Sequence, residues 1–198
     1  MEQIKISIDG IIGCGKTTQI QRLQNNKFPD IRILPEEVDH WVNEGWVQSF
    51  YENPTRNCLG FQLRVLQSHA KAKESSYPVT ITERSAFTSA NIFGKMALES
   101  GFMTPPEYNL NMSYYDMIGW EPDVIFFLDC SPNMAFERIQ SRNRASEHKI
   151  TLDYLVALDR TYREVLRNSG IEVRTINANG DEDIVFEDIV GVCQEYVK

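Results

Sequence analysis

The sequence predicts an α/β fold built on a five-stranded parallel sheet, and three observations predict it. Five short apolar runs, Ile4–Ile8, Ile31–Leu34, Val79–Thr82, Val124–Leu128 and Val173–Ile176, are each separated by stretches long enough for a helix. Short apolar-rich segments of this length read as buried strands, and strand–helix alternation brings them together in parallel. The third observation is the run Asp9-Gly10-Ile11-Ile12-Gly13-Cys14-Gly15-Lys16-Thr17-Thr18, which leaves the first strand and opens a helix.

That run meets the pattern G-x-x-x-x-G-K-[ST] at Gly10, Gly15, Lys16 and Thr17. Gly10, Gly13 and Gly15 tolerate positive φ, so the backbone N–H groups of Gly10 through Thr18, including Ile11, Ile12, Cys14 and Thr18, can curl around phosphate oxygens. Lys16 brings a cation to the β- and γ-phosphates, and the Thr17 hydroxyl suits Mg²⁺. The helix beginning near Lys16 presents its positive N-terminal dipole to the same anions. The segment is therefore read as a nucleotide-phosphate loop.

Further along, Asn57 to about Ser75 and Leu152 to about Arg167 carry helical apolar spacing. Pro132–Arg142 begins with Ser131 as cap and Pro132 in the first turn, and Pro105-Pro106 opens a helix ending near Gly119. In a doubly wound sheet, ligands sit beyond the carboxyl ends of the strands, so the residues following each strand carry the chemistry. Pro35-Glu36-Glu37-Val38-Asp39-His40-Trp41 follows the second strand and Glu83-Arg84-Ser85 the third. A helix after the fourth leads to Arg138, Arg142, Arg144 and Glu147, with Arg138 and Arg142 spaced to share a helix face and embrace one polyanion. Asp129, ending the fourth apolar run, is an alternative metal ligand to Glu83, although Asp129-Cys130-Ser131-Pro132 also reads as a turn with local capping.

The 198 residues, 42% hydrophobic, suffice for one domain spanning residues 1–198. The net charge of −8 argues against a nucleic-acid duplex as partner. Four widely spaced cysteines, Cys14, Cys58, Cys130 and Cys193, form no C-x-x-C pair and read as reduced thiols of a cytoplasmic protein. No apolar run approaches the ~20 residues that span a bilayer, so neither export nor membrane insertion is expected.

Phosphoryl transfer requires cradled phosphates, a held metal, an oriented nucleophile and cations for developing charge. The chain has a candidate for each, and in their order the motifs resemble the deoxynucleoside kinases, the family that includes deoxycytidine, deoxyguanosine and mitochondrial thymidine kinases. The residues carrying the resemblance are the phosphate loop, Glu36 with Trp41, Tyr51-Glu52-x-Pro54, Phe61-Gln62, Glu83-Arg84-Ser85, Phe93, the arginine segment ending at Glu147, and Leu152-Asp153-Tyr154-Leu155.

The resemblance implies a P-loop kinase fold with an arginine-rich lid, ATP as donor and Mg²⁺ held by Thr17 and Glu83. It implies Glu36 as the base for the nucleoside 5′-hydroxyl, with Arg84 fixing both groups. Lys16, Arg138, Arg142 and Arg144 would stabilise the transferring phosphoryl group, with the arginines on a lid that closes over ATP. Tyr51 and Glu147 would bond the sugar 3′-hydroxyl, Gln62 would read the base edge, and Trp41, Phe61 and Phe93 would sandwich the ring. The residues add independent support: Gln62, Val65, Leu66 and His69 share a helix face on which two polar groups interrupt an apolar stripe. The polar loop from Asn177 to Asp183 lies where relatives contact adenine, and a homodimer through long helices is expected by analogy.

Two departures matter. The family commonly has Glu-Pro where this chain has Glu36-Glu37, so Glu37 is an alternative base. Relatives preferring purines or cytosine carry an Arg and an Asp where this chain has His69 and Ser89, and with Val65 beside them the pocket leans towards pyrimidine deoxynucleosides. The competing readings are a nucleoside-monophosphate kinase such as thymidylate kinase, and a non-catalytic nucleotide-dependent switch or structural subunit.

Overall fold

The computed structural model describes residues 3–26, 28–144 and 147–196. They form two compact units, the first from Met1–Pro35, Glu74–Arg84 and Pro122–Lys198, the second from Glu36–Lys73 and Ser85–Glu121.

The first unit holds the sheet. Its strands are β1 (Ile4–Asp9), β2 (Ile31–Leu34), β3 (Val79–Glu83), β4 (Val124–Asp129) and β5 (Glu172–Asn177), in the order β2-β3-β1-β4-β5. Every pairing is parallel, with Ile6 opposite both Ile81 and Val124. β3 is buried throughout and β4 through Leu128, and β4 accordingly reads as a continuous apolar run over Val124–Leu128. The edge strand β5 buries only Ile176 fully. The chain steps from β1 to one side for β2 and β3, then crosses to the other for β4 and β5. The end of β1 therefore lies where the strand order reverses, the place such sheets use for ligands.

Four helices complete this unit: α1 (Lys16–Asn25), α8 (Pro132–Arg142), α9 (Leu152–Asn168) and α10 (Glu182–Cys193). Their starts follow from local chemistry. Ser131 accepts from the Met134 N–H at 3.3 Å, Thr151 from Tyr154 at 3.2 Å, and Asp181 from Asp183 at 2.7 Å. Leu155, Leu158, Tyr162 and Leu166 form the buried stripe of α9.

The second unit is helical: α2 (Val38–Asn43), α3 (Trp46–Glu52), α4 (Pro54–His69), α5 (Ala86–Thr88), a π-helical turn (Ser89–Phe93), α6 (Gly94–Glu99) and α7 (Pro105–Ile118). The helix expected from Asn57 starts earlier, because Asn53 accepts from the Arg56 N–H at 3.2 Å and Pro54 occupies the first turn. It gives way to a 3₁₀ turn at Ala70–Ala72. Trp41, Val47 and Val65 pack with Val38, Trp46, Tyr51 and Phe61, and a second cluster joins Cys58, Ala97 and Met103 to Phe50, Leu59 and Phe102. The Trp120 indole N–H, donating to the His69 carbonyl at 2.8 Å, ties the end of α4 to the segment after α7.

The Thr104 backbone N–H and hydroxyl both donate to Glu107 at 2.7 Å, closing the start of α7. The backbone hydrogen bond first, and the hydroxyl second, hold the exposed Glu107 carboxyl below its ordinary value of 4.5. A depressed carboxyl contributes stability above its unfolded pKa and loses it as pH falls through the folded value. The melting temperature of Glu107→Gln should therefore lie slightly below wild type at pH 7, and the gap should close as pH falls through and below 4.5. A gap constant with pH would show that the charge contributes nothing.

Candidate active site

The nucleotide half is built at the end of β1. Gly10, Gly13 and Gly15 have φ of +142°, +88° and +104°, and Gly15 caps α1. A Cβ on Gly10 would stand 2.8 Å from both Cys14 Sγ and the Leu128 carbonyl, and one on Gly13 would stand 2.5 Å from the Ala135 carbonyl. The Lys16 ammonium is buried and donates to the Gly10 and Ile11 carbonyls at 2.9 and 2.8 Å, with Cys14 Sγ 3.5 Å away. The loop and its lysine are thus pre-organised as one piece.

Thr17 and Glu83, expected to share a metal, are brought together: Thr17 Oγ1 donates to Glu83 Oε1 at 2.6 Å. A hydroxyl beside a carboxylate is a donor set suited to Mg²⁺, which takes few protein ligands and completes its shell with phosphate oxygens and water. Asp129, the alternative ligand, has its carboxylate on Arg163 at 2.6 Å, so the local capping expected of it falls to Ser131 alone. Arg84, 7% exposed, has φ of +57°, and its N–H donates to the Ile8 carbonyl at 3.0 Å. Such a backbone in a long side chain is strained and fixes where the guanidinium starts.

Beneath the loop lie two residues to which the sequence reading assigned no role. Asp9, with no exposed surface, receives hydrogen bonds from the Ser7 hydroxyl and, at 3.3 Å, from the Tyr162 hydroxyl. Burial, and then the Asp9 charge, push the Tyr162 phenol well above its ordinary value, against the opposing influence of Arg84. Tyr162 therefore stays a hydrogen-bond donor. Its place on an apolar helical stripe looks like core in the sequence, and no signal there marks it.

The arginines divide. The Arg138 fork donates to the Ala178 carbonyl at 2.9 Å, the Gly180 carbonyl at 3.2 Å and the Cys14 carbonyl at 3.4 Å. It fastens the loop after β5 to the phosphate loop. Arg142 forms a two-pronged pair with Glu147 at 2.7 and 2.6 Å, and Arg144 stands 3.9 Å from the same carboxylate. Arg138 and Arg142 sit one helical turn apart as expected, but here each engages the protein's own acceptors.

In the second unit the acceptor candidates converge on one face of α4 and its neighbours. Gln62, Val65, Leu66 and His69 are all buried on α4, as the spacing predicts. Trp41 meets Phe61 edge-on at 5.9 Å between ring centres and His69 at 6.4 Å, and Tyr51 packs beside them. Two polar atoms in this apolar setting, Gln62 Oε1 and Trp41 Nε1, are buried without a hydrogen-bond partner among the described residues. Ser89 and Phe93 stand at the two ends of the π turn. Glu37 is engaged by Lys71 and, at 3.9 Å, by Arg64.

The family model described as deoxynucleoside kinase matches residues 6–198. Protein 029R of Invertebrate iridescent virus 3, named as a kinase, is 34% identical over 91% of both chains. Deoxyadenosine kinase of Dictyostelium discoideum is 28% identical over 92% of this chain and 74% of its own. Human deoxycytidine kinase is 25% identical over 98% of this chain and 90% of its own.

The loop geometry separates its glycines experimentally. Gly13→Ala forces a Cβ against backbone at 2.5 Å and should destabilise the protein by about 1–3 kcal/mol while abolishing the rise in melting temperature given by Mg·ATP. Gly15→Ala meets nothing within 4 Å, so only the backbone strain, about 1–2 kcal/mol, applies, and the ATP response should survive. Equal ATP responses in the two variants would contradict this account.

Proposed function

Because this chain belongs to the deoxynucleoside kinase family, we propose that it transfers the γ-phosphoryl group of ATP to the 5′-hydroxyl of a deoxynucleoside, giving the monophosphate and ADP. The observation that carries the acceptor reading is the buried, unpartnered Gln62 Oε1, on the buried face of α4 that also holds Val65. Burying such an atom is unfavourable unless a ligand satisfies it, and the edge of a base flanked by aromatic rings does so. Trp41 and Phe61, with Phe93, are read as the walls around that base.

The roles follow from chemistry. Glu36 takes the proton of the 5′-hydroxyl as the bond to phosphorus forms, and Arg84 holds the carboxylate and hydroxyl in line. Glu36 is preferred to Glu37 because its spacing to Val38 and Trp41 fits the family pattern. Lys16, Arg142 and Arg144 neutralise charge growing on the transferred group and on ADP, while Arg138 holds the loop that faces the donor base. Thr17 and Glu83 fit Mg²⁺, which when bound would screen the phosphate charges. Tyr51 and Glu147 receive the sugar 3′-hydroxyl.

The named relatives include kinases of a purine and of a pyrimidine deoxynucleoside, so the base preference rests on this chain's own pocket. Val65, His69 and Ser89 place no fixed charge pair there, which favours thymidine and deoxycytidine. Leu110 and Met117, two turns apart on α7 and 54% and 74% exposed, supply an apolar face suited to a second copy of the chain. Buried free thiols at all four cysteines fit a reducing, cytoplasmic setting, and no helix among the described residues is long and apolar enough to cross a membrane.

The decisive experiment measures ADP release from Mg·ATP with the four deoxynucleosides, the ribonucleosides and thymidine monophosphate. Turnover is expected with deoxynucleosides, pyrimidines best, falling about 10²–10⁴-fold in Glu36→Gln but by less than about threefold in Glu37→Gln. Turnover confined to thymidine monophosphate, or loss in Glu37→Gln alone, would overturn the reading. Light scattering should show a dimer that Leu110→Glu with Met117→Glu converts to monomer.

A further inference from the structure

Asn111 lies on the inward face of α7 with no exposed surface, and neither its Oδ1 nor its Nδ2 has a hydrogen-bond partner among the described residues. A carboxamide offers two donors and an acceptor, and leaving them all unmet in the interior is unfavourable. A leucine, branched in the same way, would carry no such penalty. The packing around the amide shows what it faces. A Cβ on Gly94 would stand 2.9 Å from Asn111 Nδ2, 3.6 Å from the Tyr108 ring and 3.7 Å from the Ser89 carbonyl oxygen. The missing side chain of Gly94 is the opening through which the amide approaches the backbone of the π turn.

That turn is the irregular part of the second unit. The Gly94 N–H returns to the Ser89 carbonyl, five residues back rather than four. The Phe87 carbonyl takes a side-chain donor instead, Asn91 Nδ2 at 3.1 Å. A π turn inserted between α-helical segments adds one residue to a turn and rotates everything after it relative to everything before, and such turns recur at functional sites. Here its first and last residues are Ser89 and Phe93, so the angle between these two side chains depends on whether the turn stays wide.

We propose that Asn111, acting through the gap at Gly94, is a positioning residue that holds the π turn open and so sets the discrimination between bases at Ser89 and Phe93. The inference rests on the acceptor reading given above. The carboxamide packs its polar end against a stretch of backbone whose regular α-helical bonding is interrupted, where a buried water would join the two. An apolar residue at 111 removes that support and lets the segment relax towards a regular helix, turning Phe93 relative to Ser89. Nothing in the nucleotide half depends on this, so donor binding should be untouched.

The test compares wild type with Asn111→Leu, Asn111→Ser, Gly94→Ala and the Asn111→Leu/Gly94→Ala pair, measuring kcat and KM for thymidine, deoxycytidine and deoxyadenosine, KM for ATP, and melting temperature. Asn111→Leu should shift the thymidine-to-deoxyadenosine ratio of kcat/KM by about fivefold or more, through the nucleoside KM, with the ATP KM unchanged. Gly94→Ala should shift it in the same direction, the pair should add little to either single change, and Asn111→Ser, which keeps a polar group, should lie between. Should Asn111→Leu fail to fold, Gly94→Ala and Asn111→Ser carry the same comparison. Altered melting temperatures with ratios within about twofold of wild type would reduce Asn111 to a packing residue and overturn the proposal alone. Wild type inactive on every nucleoside would overturn the acceptor reading, and this proposal with it.

Discussion

Gly13 packs against α8 so closely that a Cβ would come to 2.5 Å from the Ala135 carbonyl, and one on Gly10 would come to 2.8 Å from the Leu128 carbonyl of β4. This exclusion of side chains orders the first unit. It sets the distance of α8 from the phosphate loop, and with it the reach of Arg138 to the Cys14, Ala178 and Gly180 carbonyls. The Lys16 ammonium, donating to the Gly10 and Ile11 carbonyls from inside, satisfies groups that a loop so tightly wrapped cannot pair with a neighbouring strand. Asp9 and Tyr162 support the same turn from below, a buried carboxylate stabilised by donors rather than left bare.

The second unit likewise buries polar atoms for which the described residues provide no partner. Gln62 Oε1 and Trp41 Nε1 on one side, and both amide atoms of Asn111 on the other, are unmet. A unit built for stability alone would place apolar residues at all three positions. On the acceptor reading proposed above, Gln62 and Trp41 would recover on binding a base the stability given up by burying them, and Asn111 would serve the turn beside them.

The sheet was legible because its strands are short segments rich in Ile and Val set between helix-length stretches, with β4 an unbroken apolar run. All five expected strands lie within a residue of those observed. Long helices were legible where a cap and a proline announce them, as at Ser131-Pro132. The six- and seven-residue helices α2 and α3 are too short for periodicity to show. The π turn has no signature in sequence, because its register depends on what packs against it. Among site residues, the clustering of Gln62, Val65 and His69 on one face of α4 followed from spacing alone, whereas the meeting of Thr17 with Glu83 followed from the family resemblance. Tyr162 and Asn111 were missed for a common reason: each occupies an inward position on an amphipathic helix, where one polar side chain reads as ordinary core.

The pairing of Arg142 with Glu147 bears on how a site can assign both to ligands while joining them to each other. The Arg142 side chain is 31% exposed, that of Glu147 12%, so the pair is partly screened and worth little more than about 1 kcal/mol. A triphosphate carries several negative charges and offers the planar guanidinium equally good two-pronged acceptors, so transferring Arg142 from carboxylate to phosphate is close to neutral before the gain in charge neutralisation. On the proposed reading, the same transfer would release the Glu147 carboxylate to accept a sugar hydroxyl. One exchange of partners would thus prepare both substrates, and Glu147 would serve to keep Arg142 ordered until the donor arrives, which lowers the entropy lost when the phosphates are clamped.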